Sequence, residues 1–115
     1  MKLHSWNHVT DEQLAPGARR QMIHGETMTV ARLRLQKGFV VPTHSHVNEQ
    51  ITTIEEGAVV FITPSERITV RAGESLVVPP GVPHSVECLE DCLAVDIFSP
   101  IREDWIRGDD AYLRK

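Results

Sequence analysis

The chain has 115 residues, 41% hydrophobic and 24% charged, with a formal net charge of −4. That is one ordinary globular domain with a single core, and its scattered Lys and Arg give no nucleic-acid footprint. No apolar run reaches the length of a membrane span, and the opening Met1-Lys-Leu-His-Ser-Trp lacks a signal peptide's apolar region, so a cytoplasmic address is expected.

Residues 1–16 show no sustained period. Trp6, Val9 and Leu14 are their large apolar anchors, and Pro16-Gly17 closes the arm. His4 and His8 lie here and are expected to be solvated. From Ala18 the pattern becomes short strands cut by turn residues, which predicts an all-β barrel or sandwich. Ala18 to His24 is the first strand, with His24 read as structural. Thr27 to Leu35 alternates, placing Ala31, Leu33 and Leu35 on one face and Arg32 and Arg34 on the other. Parity alone leaves open whether the arginines face a cavity or solvent. Val40 to His46 is read as one strand, with Val40 and Pro42 on the same face as His44 and His46.

Gln50 to Glu56 puts Gln50, Thr52 and Ile54 on one face. Ala58 to Ile62 is an apolar β run, and Thr63-Pro64-Ser65-Glu66 turns it into Arg67 to Arg71. Ser75 to Val78 follows, then the rigid loop Pro79-Pro80-Gly81-Val82-Pro83, which presets His84. His84, Val86 and Cys88 point one way. Cys88 and Cys92 flank a tight hairpin; free thiols are expected in a reducing compartment, and their spacing binds no zinc by itself. Cys92 to Phe98 is the last strand, with Ala94, Asp96 and Phe98 opposed to Leu93, Val95 and Ile97. The tail, Ile101 to Lys115, has Trp105, Ile106 and Leu113 to bury but is interrupted at Gly108-Asp109-Asp110. It predicts one or two short helical turns packed on the barrel or on a partner subunit.

The organising stretch is Gly38 to Gly57, Gly-x5-His-x-His-x3-Gln-x6-Gly. Residues two apart on a strand share a face, so His44 and His46 project together. The break at Val47, Asn48 and Glu49 lets the chain turn and return Gln50. A second stretch, Gly73 to His84, reads Gly-x5-Pro-x-Gly-x2-His and supplies His84. Three imidazole nitrogens and one amide oxygen make an open site for a divalent transition metal: Ni, Zn, Fe, Co, Cu or Mn. Glu49 is the rival to Gln50, but its parity is opposite and suits a surface or supporting position.

Asp96 is a carboxylate between Val95 and Ile97, a costly placement unless it is paired or used. It either lines the cavity with Phe98 or is held by an arginine such as Arg102. Arg102, just past Pro100, would sit at the barrel mouth. There it would either clamp a substrate carboxylate or form a surface salt bridge.

The two stretches resemble the paired motifs of the cupin superfamily, small double-stranded β-helix (jelly-roll) barrels. The resemblance implies a single cupin domain, with an arm at 1–16, a barrel at about 17–100 and a tail at 101–115. The position commonly held by Glu is Gln50 here, and the usual Asn ending the second motif is Cys88. Further runs are Gly17-Ala18-Arg19-Arg20, His44-Ser45-His46-Val47-Asn48-Glu49-Gln50-Ile51, Pro79-Pro80-Gly81-Val82-Pro83-His84 and Val95-Asp96-Ile97-Phe98-Ser99-Pro100-Ile101-Arg102-Glu103-Asp104. These resemble one narrower cupin family, that of the pectin-degradation protein KdgF.

That likeness implies conversion of cyclic 4,5-unsaturated uronates to the linear keto form, with metal on His44, His46, Gln50 and His84. It carries catalytic roles onto Asp96, Phe98 and Arg102. Relatives often carry Pro-His where this chain has Val47-Asn48, and Gly-Tyr-Val-Leu where it has Thr52-Thr53-Ile54-Glu55. Those changes would alter the substrate if they faced the site. The other readings are a cupin dioxygenase or similar metal-dependent oxidoreductase, and a non-catalytic small-molecule-binding cupin. A homodimer is expected, because edge strands and the apolar tail need cover.

Overall fold

Alternating burial along the strands closes this chain into a barrel. The computed structural model describes residues 1–114. Its strands are β1 (Glu12–Ala15), β2 (Ala18–His24), β3 (Thr29–Leu35), β4 (Val40–His44), β5 (Glu49–Glu56), β6 (Ala58–Ile62), β7 (Arg67–Arg71), β8 (Ser75–Val78), β9 (His84–Cys88) and β10 (Cys92–Ser99). One sheet has the order β1-β2-β3-β10-β5-β8 and the other β4-β9-β6-β7. All pairings are antiparallel. This is the expected jelly-roll barrel.

Every second residue of β3, β5 and β10 turns inward. Ala31, Leu33 and Leu35, then Gln50, Thr52 and Ile54, then Ala94 and Phe98 are all buried. They meet Val59 and Phe61 from the facing sheet in one core. Arg32 and Arg34 take the opposite parity and stand on the outer face, Arg32 with its guanidinium 5.4 Å from the centroid of Trp6. Gly57 reverses the chain between β5 and β6 at φ +84°, and any Cβ there would collide with the carbonyl of Asp91. Only glycine satisfies both demands.

Four sequence expectations are corrected. The aperiodic arm contributes β1, tied to β2 through pairs such as Gln13 with Arg19, and a 3-10 turn at Trp6–His8. The strand carrying the histidines stops at His44, leaving His46 in the loop. Val40 and Pro42 do not share the face of His44. Between Val41 and His44 three steps on β4 oppose two on β9, a bulge that flips parity and turns Val41 inward. In the tail, α1 (Glu103–Ile106) and the 3-10 turn Ala111–Leu113 bury Trp105 and Leu113 but leave Ile106 exposed.

The tail covers the barrel of its own chain. Asp110, fully buried, accepts a 2.7 Å hydrogen bond from Arg20, which also donates to Glu12. Arg114 donates to Asp110 and Glu12 and completes this four-residue clasp. Cys88 and Cys92 are buried free thiols, sulfur to sulfur 3.9 Å.

Candidate metal centre

His44 ends β4, His84 opens β9, His46 lies in the loop after β4, and Gln50 enters from β5. Each imidazole is oriented by its own backbone. Nδ1 of His44 lies 2.8 Å from the Pro42 carbonyl, that of His84 2.8 Å from Val82, and that of His46 3.0 Å from Asn48. A carbonyl only accepts, so each Nδ1 carries the proton and each Nε2 keeps a lone pair. One ligating atom from each of the three histidines lies within 4.8 Å of the others. His84 Nε2 is buried with no hydrogen-bond partner, a costly state unless something positive sits beside it.

Gln50 reinforces the point. Its Nε2 donates to Thr52 Oγ1 at 2.8 Å, and the Thr52 hydroxyl donates to Asp96 Oδ1 at 2.6 Å. That relay fixes the amide, so Oε1 faces His46 Nε2 at 3.0 Å. Two lone pairs at that distance repel unless they share a cation. Three imidazole nitrogens and an amide oxygen suit a divalent transition metal. Glu49 is exposed, as its parity required.

Electrostatics keep the donors ready. Burial lowers the pKa of His44 to about 4, helped by the nearby His84, His46 and Arg102, and burial also lowers His46 and His84. All three are therefore neutral at pH 7. Burial pushes Asp96 up to about 6, against the pull of Thr52 and Arg102. Asp96 sits in the cavity wall with Phe98, as its parity implied, and its side-chain partner is Thr52 rather than Arg102.

Arg102 lines the same cavity but is neither exposed nor in a surface bridge: it is 1% exposed. Its Nε and Nη2 hold Asp104 at 2.9 and 2.8 Å, and Nη2 reaches the Tyr112 hydroxyl at 3.1 Å. The guanidinium stacks 3.9 Å from the Trp105 centroid and 4.6 Å from Phe98. Phe98 also sets its ring edge-on to His46, centroids 5.7 Å apart. Thus His44, Gln50, His84, Asp96, Phe98 and Arg102 line one space, and His46 joins them through its closeness to His44, His84 and Gln50. His24 bonds Thr29 outside it, and His4 and His8 are exposed.

The sequence reading missed three participants. Thr52 was legible from its parity with Gln50. Trp105 and Tyr112 had no local signal, since the tail has no period. Asn48 turns away from the cavity and donates to the carbonyls of Pro100 and Ile101, while Val47 is exposed. The departure at Val47-Asn48 is thus structural, not a change in the cavity wall.

A family model described as a cupin domain matches residues 31–98. The chain belongs to the cupin family. Among solved structures, this cupin is similar to KdgF from Halomonas sp., with 26% identity and a TM-score of 0.79, covering 86% of this chain and 94% of that one. An RmlC-like cupin from Shewanella frigidimarina NCIMB 400 is 26% identical with a TM-score of 0.83, covering 91% and 96%. Oxalate decarboxylase from Bacillus subtilis, at 18% identity and a TM-score of 0.74, covers 84% of this cupin but 29% of its own chain, and shares the fold alone. No curated protein matches this cupin.

Proposed function

We propose that this cupin is a metal-dependent enzyme that converts cyclic 4,5-unsaturated uronates to the linear keto form. The observation that carries the reading is the relay Gln50–Thr52–Asp96, which sets a carboxyl group of pKa about 6 in the cavity lined by His44 and His84, with His46 close beside them. Such a group both accepts and gives a proton near neutrality. The likeness to Halomonas KdgF over most of both chains supports the substrate class.

His44, His46, Gln50 and His84 would hold the metal, which when bound supplies a Lewis acid for sugar oxygens. The rest falls to the chain. Ring opening breaks the bond between C1 and the ring oxygen, and the anomeric hydroxyl proton passes to the Asp96 carboxylate. C1 becomes an aldehyde and the C4–C5 enol ether becomes an enolate. Asp96 returns that proton to C4 as the enolate collapses to a ketone at C5, which leaves Asp96 a carboxylate again. The net change is an isomerisation with no oxidant. Arg102 supplies the charge that a C6 carboxylate requires, and Phe98 and Trp105 hold its guanidinium flat.

The test uses metal-reconstituted protein and an unsaturated uronate made fresh by a polysaccharide lyase, following loss of enol-ether absorbance over the spontaneous background. Acceleration abolished by chelation and by Arg102→Ala is the expected result. A fully loaded protein without acceleration overturns the reading; oxygen uptake by that protein would point instead to an oxidoreductase.

A further inference from the structure

Tyr112 brings an uncommitted donor to the cavity wall. Its hydroxyl oxygen takes two hydrogen bonds, from Arg102 Nη2 and from Trp105 Nε1, each at 3.1 Å. A guanidinium and an indole N–H donate and never accept, so both bonds run toward the oxygen. The phenolic proton is left free, and no acceptor among the described residues receives it. The stack of the ring on His44 fixes where that hydroxyl stands.

Arg102 is committed on all but one nitrogen. Nε and Nη2 hold Asp104, Nη2 also reaches Tyr112, and Nη1 makes no hydrogen bond among the described residues. A ligand carboxylate in the cavity is therefore met by Nη1, with the Tyr112 hydroxyl on the neighbouring nitrogen of the same guanidinium. In a uronate the carboxyl carbon is bonded to C5, and C5 carries the ring oxygen. A carboxylate on Nη1 thus brings the ring oxygen within reach of Tyr112. We propose that Tyr112 is a further catalytic residue, its hydroxyl donating a hydrogen bond to the ring oxygen as the sugar opens. The inference rests on the uronate reading above and adds to it the group that meets the developing charge.

The electron count places the charge there. As the bond between C1 and the ring oxygen breaks, its electron pair stays on that oxygen, which becomes the enolate oxygen and then the C5 ketone. Asp96 carries the one proton that moves, from the anomeric hydroxyl to C4, and Tyr112 keeps its own. In the closed sugar the ring oxygen is a weakly accepting ether, so a donor aimed at it gains most in the transition state. Arg102 and Trp105 strengthen that donor, because bonds into the phenolic oxygen polarise its O–H and one of them comes from a cation. The charge of Arg102 then acts on the substrate at two points, directly through Nη1 and relayed through Tyr112.

The test compares wild type with Tyr112→Phe, both metal-reconstituted, on the freshly made unsaturated uronate. In Tyr112→Phe kcat should fall about 10²–10³-fold, while KM and metal content stay those of wild type. A residue that merely props the wall would move KM or metal content instead. Binding is read apart from turnover, by calorimetry with D-galacturonate, a saturated uronate that cannot react. Wild type and Tyr112→Phe should bind it alike, and Arg102→Ala should not bind it. If Tyr112→Phe does not fold, Tyr112→3-fluorotyrosine serves: its fluorine resonance should shift on adding D-galacturonate and stay unmoved with D-galactose, which lacks the carboxylate. An unmoved resonance in saturating D-galacturonate, a kcat equal to that of wild type, or a loss confined to KM overturns the proposal. A wild type that binds D-galacturonate but does not accelerate uronate opening defeats the uronate reading itself, and this inference with it.

Discussion

The phenol ring of Tyr112 lies stacked on the imidazole of His44, centroids 4.5 Å apart and planes 26° from parallel. Its hydroxyl accepts from both Arg102 Nη2 and Trp105 Nε1 at 3.1 Å. One tail residue therefore touches a candidate metal ligand and the cavity's arginine together, and Asp110 anchors the turn that carries it. The tail is part of the cavity wall and not a loose appendage.

Tyr112→Phe keeps the stacking and removes the acceptor. Two largely buried donors then lack their shared partner, which costs about 1–3 kcal/mol. Urea denaturation should show that loss, while metal content stays that of wild type. A Phe variant as stable as wild type would mean that Arg102 and Trp105 do not depend on the hydroxyl.

Asp96→Asn preserves shape and removes the proton carrier. Turnover of the unsaturated uronate should fall by about 10²–10⁴-fold at unchanged metal content. The pH profile of turnover should lose its acid-side inflection near the Asp96 pKa of about 6. Undiminished turnover at full metal loading would remove Asp96 from the chemistry.

The succession of strands along the chain and the inward face of β5 and β10 were legible because period-2 burial is local. Gln50, Thr52, Asp96 and Phe98 turned inward as parity required. The reading failed where geometry departs from a plain strand. The bulge before His44 exchanges the faces of Val40 and Val41, and no propensity announces it. Arg20 defeats the sequence for another reason. It has the same parity as Ala18 and Met22, so its position is inward, but the carboxylate that makes burial tolerable lies ninety residues away at Asp110. Arg102 likewise depends on Asp104, Trp105 and Tyr112, partners set by the fold of an aperiodic tail.

Removing metal exposes a pH dependence whose sign follows from the shifts. The three histidines have folded pKa values below the ordinary 6.5, so their contribution is complete above pH 6.5 and is lost on acidification, for His44 toward about pH 4. Asp96 acts oppositely: raised to about 6, its contribution is complete below its ordinary 3.8 and is lost as pH rises through 6. Three groups outweigh one. The Tm of chelated protein should therefore fall between pH 7 and pH 4.5, more steeply in Asp96→Asn. A Tm that rises over that interval would contradict the assignment of neutral buried imidazoles.

The last prediction concerns the clasp that holds the tail. Asp110 is 0% and Arg20 1% exposed, and Arg20 Nη1 already lacks a hydrogen-bond partner. Asp110→Ala leaves that guanidinium buried with Glu12 as its one remaining carboxylate, and frees Arg114 from its i−4 partner. Breaking a buried pair by removing one member costs about 3–5 kcal/mol. Glu12 offsets part, so a loss near the lower figure is expected by urea denaturation. The tail should loosen with it, because the Asp110 carbonyl accepts from Leu113 in the turn that sets Tyr112 on His44. Faster proteolysis after Arg107 and weaker metal retention should therefore accompany the loss. A variant that loses stability while its tail stays protease-resistant would show that the clasp supports β1 and β2 but not the wall of the metal cavity.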